Sequence, residues 1–225
     1  MSAQRTGAER TPVVPLEAGI GPDNPPCPAC GEPLFGWVDE RPGLAGPVSR
    51  CESCGLGVVG APGTAEDALR ELDNQASAVP FPGIGRKRSS GSVLFANRDG
   101  FAAWIGGIGW AGLERDVRYL FTTEAVRRLV ARRDQVVTRA GWAPGPGIAT
   151  IWQTLLNGFT FGHNVALGAL GRSAAVPAER PWQRRLDALV SVLVALPALL
   201  LAVPIELIAA ALRRGDAISM RIERL

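Results

Sequence analysis

Apolar and polar positions divide the chain into stretches of different texture. Residues 1–26 carry Pro, Gly and mixed charge without a helical or strand period, which predicts a flexible arm. Short apolar pieces at 33–38 and 58–59 predict a hairpin and a following strand. At 64–74, Thr64 and Asp67 have the spacing of a capping box, and Leu69 and Leu72 make one narrow apolar face, so a short helix is expected. Residues 92–96 are a compact apolar strand. A second helix begins at Thr122 or Thr123, with Val126, Leu129 and Val130 inside and Arg127, Arg128, Arg132 and Arg133 outside. Alternation at 135–139 predicts one more strand. Beyond it lies the chain's longest apolar texture: residues 188–205 carry no charge.

Composition refines this picture. Among 225 residues there are 27 Gly and 18 Pro, enough for many turns. The net charge of +3 is too small to imply nucleic acid by itself. A single histidine, His163, excludes sites that need two. It stands in a Gly-flanked segment with no carboxylate nearby in sequence, so a structural role is expected. The N-terminus lacks the apolar core of a secretory signal, so a cytoplasmic, reducing location is expected, which disfavours disulfides.

The four cysteines are Cys27, Cys30, Cys51 and Cys54, spaced C-x2-C-x20-C-x2-C. Two thiolates on one tight turn point at one ion, and two such turns complete the tetrahedral four-sulfur shell that Zn²⁺ accepts. A glycine follows each second cysteine, as a metal knuckle requires. Neither pair opens a helix after an apolar strand, which a thioredoxin-type redox pair would do. The expectation is a zinc ribbon over 27–60 with a structural, not catalytic, zinc ion.

Three glycines, Gly107, Gly109 and Gly112, satisfy G-x-G-x-x-G. They lie some ten residues past the strand and enclose Trp110, so they read as a packing cluster rather than a dinucleotide loop. The Arg86-Lys87-Arg88 triplet reads as a solvated loop.

Several pieces form an ordered set: Gly91-Ser-Val-Leu-Phe-Ala-Asn97, Trp110-Ala-Gly-Leu113, Arg118-Tyr-Leu-Phe-Thr-Thr-Glu124 and Gly215-Asp216 before the last strand. Together with the ribbon, this set resembles the C-terminal half of bacterial class I S-adenosylmethionine-dependent methyltransferases that carry an N-terminal zinc ribbon. Arg118 stands where that family has His, Thr123 where it has Pro, and Ala96 where it has the Pro before Asn. Fewer than forty residues separate Cys54 from the resembling region, too few for the strands and helices of a cofactor-binding half. The resemblance therefore implies an α+β chain: a small four-cysteine zinc ribbon joined to a truncated Rossmann-like half of about three strands, with the last strand central and antiparallel. It argues against bound S-adenosylmethionine, and no catalytic or cofactor-binding residue is carried over. The first strand of that sheet is left with an open edge, to be covered by the ribbon, the 64–74 helix or a second chain.

The expected organisation is an arm at 1–26, the ribbon at 27–60, a linker with a short helix at 61–91, and the methyltransferase-like half at 92–225. Within that last part, 186–212 is an apolar helical segment. It reads in three ways: a helical hairpin lying on or dipping into a membrane, a true span, or a buried core helix. Pro197 and Pro204 favour two short helices, and basic pairs on both sides give no orientation. Trp152, Phe159, Phe161 and Trp182 suit headgroup depth. The resulting expectation is a degenerate, non-catalytic module that binds a protein partner or homo-oligomer through the sheet edge, or the inner face of the cell membrane through 186–212. One alternative is an active methyltransferase using a partner-supplied or unrecognised cofactor site. Another is a nucleic-acid-binding ribbon, which the acidic balance between Cys27 and Cys54 argues against: Arg41 and Arg50 face Glu32, Asp39, Glu40 and Glu52.

Overall fold

A computed structural model describes residues 24–39, 44, 46–77, 92–114, 117–171, 173 and 175–224. Most of the expected N-terminal arm and the Arg86-Lys87-Arg88 triplet lie outside the described residues.

The fold is α+β with two antiparallel sheets. The first holds β1 (Leu34–Val38), β2 (Val48–Cys51), β3 (Gly57–Val59) and β5 (Tyr119–Leu120), in the order β1-β2-β3-β5. The second holds β4 (Ser92–Ala96), β6 (Gln135–Trp142) and β7 (Ala217–Arg224), in the order β4-β7-β6. The last strand is central and antiparallel to both neighbours, with Leu94 opposite Ser219 and Ala140 opposite Met220. All pairs between described strands are antiparallel. β4 is an edge strand, and α1 (Ala65–Ser77) packs against it, burying Leu69 and Leu72 with Val93 and Phe95. The capping box of α1 forms as the spacing required. The Thr64 amide donates to Asp67 Oδ2 at 2.9 Å, and the Asp67 amide to Thr64 Oγ1 at 3.2 Å.

The ribbon sheet is buried on both faces. Adjacent residues of a strand point to opposite sides: Val58 joins one core with Leu34, Leu72, Phe95 and Leu129, while Val59 joins the other with Val48, Trp110, Ile151 and Ala202. β5 extends the same sheet from the other half of the sequence, pairing Tyr119 with Val58 and Leu120 with Gly57. The ribbon is thus built into the interior of the molecule.

α3 (Thr123–Ala131) starts at Thr122, whose hydroxyl accepts from the Ala125 amide, and it buries Val126, Leu129 and Val130. Its outer arginines are partly paired: Arg128 with Glu124, and Arg133 with Glu66 and Asp73 of α1. Three helices were not expected from the sequence. α2 (Phe101–Gly106) runs straight into a 3-10 turn at Gly107–Gly109. α4 (Pro144–Asn157) follows β6, and α5 (Val165–Ala169) follows α4.

The apolar segment corrects the expectation of two short helices. α6 (Pro181–Ala211) is one continuous helix of 31 residues with Pro197 and Pro204 inside it, both exposed. Its hairpin partner is α4 instead. Trp152 Nε1 donates to the Ala195 carbonyl at 2.8 Å, and a side chain at Gly147 would collide with the Glu206 carboxylate, so the two helices run antiparallel and close. The buried stripe of α6 is small or polar: Asp187, Ala198, Ala202, Glu206 and Ala209. Its other faces are Leu and Val in solvent, with Val192 at 75 % and Leu200 at 67 % exposure.

Candidate metal centre

Each cysteine pair sits on a tight turn, and the two turns share one hydrogen-bond scheme. The Cys27 amide donates to the Glu32 carbonyl and the Gly31 amide to the Cys27 carbonyl. In the second turn, the Cys51 amide donates to the Leu56 carbonyl and the Gly55 amide to the Cys51 carbonyl. Both glycines are left-handed, with φ of +84° at Gly31 and +76° at Gly55, a region that costs a side chain about 1–2 kcal/mol.

The turns bring all four sulfurs within 4.8 Å of one another. The contacts are 3.6 Å for Cys27–Cys54, 3.4 Å for Cys30–Cys51 and 3.7 Å for Cys30–Cys54. A tetrahedral shell with Zn–S near 2.3 Å has an S···S edge of about 3.8 Å, so the donor set is already spaced for a zinc ion. Cys27, Cys51 and Cys54 are buried, and Cys30 is half-buried. Without an ion the Cys27–Cys54 hydrogen bond lowers the Cys27 pKa and raises that of Cys54, and burial raises Cys30, so the four sulfurs do not all ionise together. A cation among them is what lets all four bind as thiolates. All four coordination positions are taken by sulfur, so an ion held here supports the fold and leaves no place for substrate.

The second knuckle is tied to the rest of the protein. Thr122, the cap of α3, donates its hydroxyl to the Cys54 carbonyl at 2.6 Å while accepting from Ala125. The metal centre therefore fixes the start of α3 directly.

The other residues singled out by sequence lie elsewhere. His163 is buried, and its backbone pairs with Val176 in an isolated bridge. Gly107 and Gly109 sit in the 3-10 turn rather than between a strand and its helix.

Two features escaped the sequence reading. One is a pair of buried acids. Asp216 Oδ1 accepts from the Ala102 amide at 2.6 Å, capping α2 from a distance, and the Asp216 amide donates to Glu206 at 3.2 Å. Burial, then the neighbouring Glu206 charge, pushes the Asp216 carboxyl up to about 8, and burial also raises Glu206. One proton shared between the two is the favourable state in such a site. The other feature is a groove of about 590 Å³ that collects Arg50, Arg98, Arg213 and Arg214 from three distant parts of the chain. The Gly-Asp turn at 215–216 was visible in the sequence as a turn, but nothing local marked its acid as buried.

Compared with known protein families, with curated proteins and with solved structures, the chain matches none of them.

Proposed function

We propose that this protein is a zinc-stabilised, non-catalytic module that docks on an anionic membrane surface through the outer face of α6. The observation that carries the reading is the inverted pattern of that helix. A surface helix in water buries its apolar stripe and exposes its polar one. Here Asp187, Glu206 and small alanines are turned inward, and Leu193, Leu196, Leu200 and Leu207 are turned outward. Only 11 % of its most apolar window is buried. Small and polar residues at the helix–helix contact with leucine outside is the arrangement lipid favours. Two interior prolines are also better tolerated there than in a water-exposed helix.

The attachments of the hairpin favour lying on the membrane over crossing it. The excursion from β6 to β7 starts and ends at one place, because the Ala143 amide donates to the Ala217 carbonyl. Its far end is also held: Asn157 donates to the Gly109 carbonyl, and Asn164 to the Ala111 carbonyl. At 1.5 Å per residue α6 is about 46 Å long, and it packs side by side with α4 and α5. Phe161 and Trp182, in edge contact at 5.7 Å, stand exposed at one end, and arginines flank both ends.

The methyltransferase-like reading of 92–225 enters here as descent rather than activity. The β4-β7-β6 order with the last strand central supports it. Fewer than forty residues lie between Cys54 and β4, too few for a cofactor-binding half of strands and helices.

Vesicle flotation tests the docking. Wild-type protein is expected to float with vesicles containing phosphatidylglycerol, and the triple variant Leu193→Gln, Leu196→Gln, Leu200→Gln to bind roughly 100-fold more weakly or worse. Equal flotation of both proteins, or burial of the α6 face in a stable dimer by light scattering without any lipid binding, overturns the reading.

A further inference from the structure

We propose that the groove between the ribbon, α2 and the end of α6 is a binding site for a phosphate monoester. This inference does not rest on the membrane reading. Four arginines line it: Arg50 from β2, Arg98 after β4, and Arg213 and Arg214 after α6. The acids that border it are already engaged, Asp99 with Arg98 at 2.6 Å and Glu124 with Arg128 at 2.8 Å. Arg50 reaches only Glu52, at 3.7 Å, and no ion pair engages Arg213 or Arg214 among the described residues. The groove therefore carries uncompensated positive charge in a concave place, where a multiply charged oxyanion is bound by several guanidiniums at once.

Three further observations point to a ligand. The Arg98 guanidinium stacks on Trp37 at 4.5 Å, and its Nε is buried without a hydrogen-bond partner. The groove also borders the start of α3, where Thr122 and Thr123 line it and the helix dipole favours an anion. Finally, α6 ends in a Schellman turn: the Arg213 amide donates to the Ala210 carbonyl and the Arg214 amide to the Ala209 carbonyl. The left-handed residue of that turn is commonly glycine, yet here it is Arg213, with φ of +59°. The left-handed backbone at Arg213 thus places a guanidinium at a basic groove where a glycine would leave none. Trp104 and Trp142 supply apolar walls suited to the organic part of the ligand.

The phosphate monoester has two sources, a soluble metabolite or a lipid headgroup. Glycerol 3-phosphate, titrated calorimetrically into metal-loaded full-length protein, probes the first. Phosphatidylcholine vesicles carrying phosphatidic acid or, at equal surface charge, phosphatidylglycerol probe the second, because only phosphatidic acid is a phosphate monoester. The variant Arg213→Gly, Arg214→Gln removes two guanidiniums and relieves the strained turn, so it is expected to melt no lower than wild type. It is also expected to bind the probe at least about ten-fold more weakly. Arg127→Gln, Arg132→Gln removes the same charge from the exposed side of α3 and is expected to bind as wild type does.

Binding of glycerol 3-phosphate that is lost only in the first variant supports the site with a soluble source. Recruitment to phosphatidic acid in excess of that to phosphatidylglycerol, with the excess lost only in the first variant, supports it with a lipid source. Equal losses in both variants, or no binding to either probe, overturn it. Because neither variant touches the leucine face of α6, loss of vesicle binding in the leucine variant alone reports on the membrane reading and not on this groove.

Discussion

The two knuckle glycines give a differential test of how firmly the metal centre is built into the body. Alanine at Gly31 meets nothing within 4 Å, so its cost is the left-handed backbone alone, about 1–2 kcal/mol. Alanine at Gly55 pays the same conformational cost. Its Cβ would also stand 2.8 Å from Thr122 Cγ2 and 3.1 Å from Asp99 Oδ2. The half-exposed Asp99 carboxylate can swing away, but Thr122 is not free to yield. Thr122 is held between Cys54 and Ala125. Overpacking of this kind adds about 1–3 kcal/mol. In a chain of this size each kcal/mol moves the melting point by about 2–4 °C, so the two variants separate clearly in thermal denaturation of metal-loaded protein. Gly55→Ala is also expected to release zinc faster to a chromogenic chelator, because it displaces the segment that carries Cys54. If Gly31→Ala melts at or below Gly55→Ala, the second knuckle is not packed against α3 as described.

Two other outcomes follow from the same interior. Because the ribbon sheet contributes to both cores, removing the metal with a strong chelator is expected to abolish cooperative melting of the whole protein. Retention of native exchange protection in β4, β6 and β7 after complete metal removal would contradict that coupling. The Glu206–Asp216 pair makes stability depend on pH. With Asp216 raised from 3.8 to about 8, the folded chain keeps a proton that the unfolded chain has released. The stabilisation is complete below about pH 4 and is lost as pH rises through about 8, by at most about 1.4 kcal/mol per unit. Asp216→Asn, which keeps the acceptor for Ala102, is expected to flatten the profile in denaturant titrations; a wild-type stability that rises from pH 5 to 8 would refute the assignment.

What the sequence made legible is what short-range chemistry determines. The four cysteines and their glycines specify the knuckles within a few residues each. Thr64 and Asp67 specify a helix start, and the runs at 92–96 and 135–139 specify strands, while the strand at 217–222 and its central, antiparallel place were implied only by the resemblance and agree with the sheet observed. The misses have physical causes. No element was expected at Pro144-Gly-Pro-Gly147, where α4 begins; proline suits a first helical turn, because its missing N–H has no partner to lose there. Pro197 and Pro204 read as breaks, but both sit on the open side of α6 and the helix continues through them. The basic groove had no local signature, because Arg50, Arg98 and Arg213 meet only after β2, β4 and α6 have been packed. The burial of the ribbon on both faces was likewise hidden, since it depends on a two-residue strand, β5, arriving from the other half of the chain.

The orientation of α6 at a membrane tests the central claim most directly. Nitroxide labels placed one at a time along 189–207 through an introduced ketone amino acid avoid the metal-site cysteines. Their accessibility to oxygen and to a polar nickel chelate is then read with the protein on anionic vesicles. Docking through the outer face predicts a depth that oscillates with the helical period of about 3.6 residues. Labels at Leu193, Leu196 and Leu200 are expected to be shielded from the chelate at similar depth. A depth that runs steadily through the bilayer centre from one end to the other, or full exposure to the chelate at all three leucines, would contradict it.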